Sequence, residues 1–226
     1  MYQKKIILSD DGSHTIELVG MNEQYHSTHG AIQESCHVYI KHGLESVAAH
    51  TRVISILEIG MGTGLNVLLS WLFAQKHELK IFYHAIEAFP VGEDIWSQLN
   101  YTQKLQQPYS KEIFNKIHSS PWDKKIKLDD NFFFTKMEEH IQESILLKNT
   151  FDVVYFDAFN PDLEPNLWTE EVFREIYNSM SKNSILTTYS TKGMVKRALK
   201  SCGFKIEKKS GPIGKREILN ALKIIT

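Results

Sequence analysis

Glu58, Asn66, Glu87 and Asp157, set around three closely spaced glycines, are the side chains whose types and spacing could do chemistry. The stretch Glu58-Ile59-Gly60-Met61-Gly62-Thr63-Gly64-Leu65-Asn66 ends an apolar run in an acid and then opens a segment whose Val67, Leu68, Trp71 and Leu72 recur at helical spacing. A run rich in β-branched and aliphatic residues, Val53 to Ile59, that stops at glycine predicts a buried parallel strand, and the glycines let backbone approach a ligand where a Cβ would collide. A second apolar run, Ile81 to Ile86, ends in Glu87, 23 residues after Gly64, the interval at which a strand–helix–strand unit sets a carboxylate beside a ribose. An ionised carboxylate offers only acceptors and so suits the two ribose hydroxyls. A dinucleotide site would read G-x-G-x-x-G and seat a pyrophosphate on the helix N-terminus; the spacing here departs from it. Taken singly, the glycines could be a tight turn and Glu87 a solvated strand-end acid; together they read as a nucleoside site.

A third apolar run, Phe151 to Phe156, delivers Asp157 to the carboxyl edge of the sheet, where open α/β folds bind ligands. Pro161 and Pro165 stiffen the loop that follows, so that Phe159 could present a flat face to an acceptor base or could simply cover the sheet edge. For Trp168 packing is the favoured reading.

These residues must be positioned by an α/β sheet. The chain has 226 residues, 42% of them apolar, enough to bury one core, and no apolar run approaches the roughly 18 residues a membrane helix needs. A single domain over 1–226 is expected, divided into an extension, 1–50, and a Rossmann-like core, 51–226. In the extension, Lys5–Leu8 and Thr15–Leu18 flank Asp10-Asp11-Gly12-Ser13 as a hairpin outside the cofactor sheet, and Ala31 to Lys41 could form a helix. Beyond Glu87, strands are predicted at Asn131–Thr135, Phe151–Phe156, Ser184–Tyr189 and Glu217–Ile224. Helices are predicted at Met137–Leu147, Thr169–Met180 and Gly193–Ser201, with Thr169 as N-cap. Between Tyr101 and Asp130 the pattern weakens into an elaborated crossover. The N-terminus, from Met1-Tyr2, lacks the apolar region of a secretory signal, so a cytoplasmic location is expected. Cys36 and Cys202 lie far apart and the ten histidines form no ligand spacing, so no metal is assigned.

The Glu-x-Gly-x-Gly-x-Gly loop resembles motif I of class I S-adenosylmethionine (AdoMet) methyltransferases. More specifically, Glu58 to Asn66, Glu87-Ala88-Phe89-Pro90, Asp157-Ala158-Phe159-Asn160-Pro161 with Asn166-Leu167-Trp168-Thr169, Tyr189-Ser190 and Gly214-Lys215-Arg216-Glu217 resemble the methyltransferase domain of the MnmC family. Tyr25-His26-Ser27 and Gly30-Ala31-Ile32-Gln33-Glu34-Ser35 are similar to its entry segment. The resemblance covers nearly the whole chain. It implies a mostly parallel sheet with an antiparallel final strand, and AdoMet-dependent methylation of 5-aminomethyl-(2-thio)uridine at the tRNA wobble position. It implies AdoMet held by Glu58, Gly60, Met61, Gly62, Thr63, Gly64, Asn66, Glu87, Met137 and Asp157, with Asp157 also catalytic, and tRNA met by Phe159, Pro161, Tyr189, Lys192, Lys215 and Arg216. The family's FAD-dependent oxidase half has no counterpart in these residues, so a stand-alone methyltransferase without FAD is implied, with a separate enzyme supplying the aminomethyl group. Where relatives carry an adenine-binding acid after the third strand, this chain reads Phe134-Thr135-Lys136-Met137, which leaves adenine to backbone and Met137.

The net charge of −1 conceals an asymmetry: Lys192 to Arg216 holds nine basic residues against Glu207 alone, so this segment is a candidate phosphate-binding face, or else a solvated lysine-rich surface. Two other readings share the loop. One is aminopropyl transfer or small-amine methylation, opposed by the basic segment and by the lack of an aspartate-rich second amine clamp. The other is a catalytically silent RNA-binding subunit, opposed by the intact Asp157.

Overall fold

The computed structural model describes residues 3–224; Met1, Tyr2, Ile225 and Thr226, and with them the first residues of the stretch that lacks a secretory signal, lie outside the described residues. The N-terminal hairpin forms as expected, β1 (Lys4–Leu8) pairing antiparallel with β2 (His14–Leu18), and β3 (Glu23–Gln24) completes a small separate sheet. The helix expected over Ala31–Lys41 runs further and changes pitch. It starts as α1 (Ala31–Ser35), widens to a π-helix over Cys36–Leu44 and closes as α2 (Glu45–Ala48).

The core alternates as the apolar runs predict: β4 (Val53–Ile59), α3 (Leu65–His77), β5 (Lys80–Ile86). The crossover that follows holds α4 (Glu93–Trp96), α5 (Tyr101–Leu105), α6 (Ser110–Ser119) and β6 (Ile126–Asp129) before β7 (Phe132–Met137). Then come β8 (Phe151–Phe156), α7 (Glu170–Ser179), β9 (Met180–Thr188), α8 (Gly193–Ser201), β10 (Lys205–Ser210) and β11 (Glu217–Lys223). The eight-stranded sheet has the order β10-β11-β9-β8-β4-β5-β7-β6. Its five central strands are parallel, and β6, β10 and β11 pair antiparallel at the two edges. β4 sits in the middle, and the order reverses around it, which opens the ligand crevice at its carboxyl end.

One expectation is corrected. Residues 138–149 form no helix: Ile145 is 98% and Leu147 63% exposed, so a helical stripe there would have nothing to bury, and the segment is instead a loop anchored by the buried Ile141. The stretch Lys205–Ser210 forms a strand that the lysine pattern concealed; its charges guard the open edge of the sheet. Thr169 caps α7 as expected, its side chain accepting from Val172 N. No helix among the described residues is long and apolar enough to cross a membrane, and no cluster of metal-ligating side chains occurs among them.

Candidate active site

A cavity of about 640 Å³ opens where β4, β5 and β8 end. Hydrogen bonds continue beyond the strands: Gly60 N donates to Ile86 O at 2.9 Å and Asp157 N to Ile59 O at 2.9 Å, which draws the glycine loop, Glu87 and Asp157 side by side. Gly60 has φ 86°, and a Cβ there would stand 2.6 Å from the Asp157 carbonyl oxygen, so only glycine allows β4 and β8 to close together. Gly62 N donates to Glu87 Oε2 at 2.7 Å and Phe89 N to Oε1 at 2.8 Å. Each oxygen thus takes one amide and keeps capacity for a further donor from the cavity that Glu87 lines.

The other loop residues divide into two groups. Gly60, Met61 and Gly62 line the cavity; Glu58, Thr63, Gly64 and Asn66 stand behind it. Glu58 is fully buried and accepts from Asn66 Nδ2 and Tyr83 Oη, both at 2.9 Å; burial pushes its carboxyl well above the ordinary range. Thr63 is buried against His26, with Oγ1 to Nε2 2.7 Å, and its carbonyl faces His118 Nε2 at 3.1 Å. Burial lowers these imidazoles to about 4 and about 3, so both are neutral at pH 7.

Asp157 lies at the base of the cavity. Tyr39 Oη donates to Oδ1 at 2.5 Å and Asn66 Nδ2 to Oδ2 at 2.9 Å. Burial raises its carboxyl to about 7 against the pull of those two donors, with Glu34 adding to the rise and Lys215 opposing it. Phe159 lines the cavity with Tyr25 edge-on at 5.0 Å, and Tyr189 Oη donates to Ala158 O at 2.9 Å. Trp168 is buried and donates to Phe159 O at 2.8 Å: it is a packing residue, and it fixes the backbone of Phe159.

Lys215 reaches the cavity, donating to Glu34 Oε1 at 2.6 Å with its ammonium 4.2 Å from the centre of the Tyr189 ring. Pro161 is buried away from the cavity, Lys192 pairs with Asp162, and Arg216 is exposed outside it. Met137 does not line the cavity either; its side chain packs in the core on that side of the sheet. Lys136 turns away, donating to His118 O at 2.5 Å beside the Trp122 ring, while Glu139, His140 and Ile141 face the cavity in the place expected of Met137. Burial lowers the Lys136 ammonium to about 8.

Five residues at or beside the cavity, Tyr25, Glu34, Tyr39, Glu139 and Glu164, carry no chemical motif in the sequence. Glu139 lies two residues beyond the end of β7, a position at the carboxyl edge of the sheet that the helical pattern over 137–147 hides. Tyr39 carries no local signal. The cavity wall is thus rich in carboxylates, with Glu23, Glu34, Glu87, Glu139, Asp157 and Glu164 against Lys215.

A sequence profile of the S-adenosyl-L-methionine-dependent methyltransferases matches residues 98–224, more than half of the chain. The chain belongs to that family. The glycine loop and Glu87 precede the matched span. The tRNA 5-methylaminomethyl-2-thiouridine biosynthesis bifunctional protein MnmC of Burkholderia mallei is 28% identical over 230 residues, which cover 95% of this methyltransferase and 34% of that protein. The chain therefore spans about one third of the length of the curated relatives it matches. MNMC2 from Aquifex aeolicus superposes with a TM-score of 0.80 at 22% identity, covering 98% of this chain and 70% of that one. Spermidine synthase from Thermotoga maritima superposes with 0.57 at 15% identity, covering 100% and 71%. Both are likenesses of fold alone, and they extend over nearly the whole chain.

Proposed function

We propose that this methyltransferase transfers the methyl group of AdoMet to the primary amine of 5-aminomethyl-(2-thio)uridine at the wobble position of tRNA, acting through one domain. The relatives named for that biosynthesis support the substrate. The observation that carries the reading is Asp157, an elevated carboxylate beside the glycine loop in an acid-lined cavity. When bound, AdoMet supplies an electrophilic methyl on a cationic sulfonium.

The residues present fit such a ligand: loop backbone without Cβ atoms at Gly60 and Gly62, and Glu87 with acceptor capacity left for ribose hydroxyls. The surplus of carboxylates also complements a sulfonium and an alkyl ammonium. Glu139, His140 and Ile141 border the adenine side in place of Met137. Glu58 and Asn66 act from behind, holding the loop and Asp157. An ammonium has no lone pair, so the amine must lose a proton before it attacks; Asp157, raised to about 7, accepts hydrogen bonds from the amine and takes that proton. Phe159 and Tyr189 flank the acceptor base, Lys215 meets its polar edge or a phosphate, and Pro161 stiffens the loop behind them. Alignment of nitrogen and methyl in a dry cavity is worth up to about 7–11 kcal/mol.

The test is mass analysis of nucleosides from tRNA bearing aminomethyluridine after incubation with protein and AdoMet. One added methyl on the wobble nucleoside is expected. No added methyl on tRNA, with transfer to a free polyamine instead, would establish the small-amine reading.

A further inference from the structure

The π-helical stretch Cys36–Leu44 lies outside the glycine loop and the acceptor loop, yet one of its side chains ends on the group that does the chemistry. Tyr39 is 1% exposed, its ring packs against Tyr155 at 5.2 Å, and its hydroxyl donates to Asp157 Oδ1 at 2.5 Å. A π-helix bonds residues five apart and is uncommon beyond a single turn, so nine residues of it need outside support. The sheet supplies that support. Thr187 Oγ1 donates to Val38 O at 3.0 Å and Asn220 Nδ2 to His42 O at 2.9 Å, from positions that are themselves buried. Gly43 lets the helix lie close: a Cβ there would stand 2.9 Å from Thr187 Cγ2 and 3.1 Å from Tyr155 Cε1. The widened helix is thus pinned on both sides of Tyr39.

We propose that Tyr39 is a positioning residue for the methyl transfer: its hydroxyl on Oδ1, with Asn66 Nδ2 on Oδ2, holds the Asp157 carboxylate in one orientation and leaves a lone pair on each oxygen for the acceptor amine. The inference rests on the reading of Asp157 given above. It adds that the N-terminal helix sets the pH at which the site works, because a donor to a carboxylate favours its charged form. The other groups acting on Asp157 are Glu34 from the same helix, Glu58 from β4, Asn66 from α3, Tyr83 from β5, Tyr189 after β9 and Lys215 before β11. None of these is altered by changing the Tyr39 hydroxyl alone.

The experiment compares the pH dependence of turnover on aminomethyluridine tRNA for the wild-type chain, Tyr39→Phe, 3-fluorotyrosine incorporated at position 39, and Asp157→Asn, with AdoMet affinity measured by calorimetry. For Tyr39→Phe the expected result is a turnover reduced about 10- to 100-fold near pH 7, an acid limb moved to higher pH, and AdoMet affinity within about twofold of wild type. Fluorotyrosine is a stronger donor and nearly the same shape; it should move the limb to lower pH, and this holds the test even if the Phe variant folds poorly. If Asp157→Asn is inactive while both Tyr39 variants keep the wild-type rate and limb, Tyr39 is packing only and the inference fails. If Asp157→Asn itself turns over normally, the reading beneath it fails.

Discussion

The side of the cavity proposed for AdoMet and the side proposed for the acceptor are built in opposite ways. Gly60, Met61, Gly62 and Glu87 come from one strand–helix–strand unit, and backbone amides do the holding: Gly62 N and Phe89 N both end on Glu87. The acceptor side is assembled from Tyr25, Glu34 and Tyr39 before the core, Asp157 and Phe159 in the middle, and Tyr189 and Lys215 near the end, joined by side chains. A backbone-built half tolerates change outside its own loop; a half built from side chains distributes its geometry over the whole chain. Binding of AdoMet and turnover should therefore separate cleanly under mutation.

The largest effect is expected at Asp157. Asp157→Asn keeps the shape and loses the proton acceptor, so turnover should fall about 100- to 10,000-fold while AdoMet affinity is largely retained. With the wild-type protein, the carboxyl is raised to about 7 and works only when ionised, so kcat/KM should fall tenfold per unit as pH drops below about 7 and level off above it. Loss of AdoMet binding in a folded Asp157→Asn protein would merge the two halves and break the comparison.

Glu87→Ala should do the reverse. Removing a charge-assisted hydrogen bond to the ribose costs about 1.5–3 kcal/mol, or roughly 10- to 150-fold in AdoMet affinity, and it also releases the amides of Gly62 and Phe89. Turnover at saturating AdoMet should change far less. Wild-type affinity by calorimetry in the folded variant would remove Glu87 from the ribose.

The same contrast decides what could be read from the sequence. The convergence of the loop, Glu87 and Asp157 on one cavity is legible because each sits at the end of an apolar strand, and a parallel sheet brings such ends to one edge whatever else the chain does. Glu58 was expected at the ligand and stands behind it, since side chains alternate along a strand and Glu58 points toward Asn66 and Tyr83. Met137 ends β7 outside the cavity wall: the helical pattern over 137–147 promises a face that the sheet does not bury, and the loop brings Glu139 to the cavity instead. Tyr39 and Glu34 were illegible for a further reason. Their partners, Asp157 and Lys215, lie more than a hundred residues away, and no local pattern encodes a pairing at that separation.

The basic segment shows the smallest expected effect, and the structure divides it. Lys205 and Lys209 pair with Glu207, Lys208 with Glu217, Lys192 with Asp162 and Lys215 with Glu34, so much of the excess charge is already answered by carboxylates. Arg197 and Lys200 lie exposed on α8, three residues apart and so on one face, and neither is ion-paired among the described residues. If the segment meets tRNA phosphates, the double variant Arg197→Gln, Lys200→Gln should raise the tRNA KM a few-fold and flatten its log-log salt dependence by about 0.7–0.9 for each phosphate no longer neutralised. Lys208→Gln with Lys209→Gln, on the edge strand, should change the slope less, because those ammonium groups already neutralise Glu217 and Glu207. AdoMet affinity should be untouched in both. Equal slopes for wild type and the α8 variant would make Arg197 and Lys200 a solvated face, and would move the search for the phosphate surface to Lys124 and Lys125 before β6 and Lys127 on it.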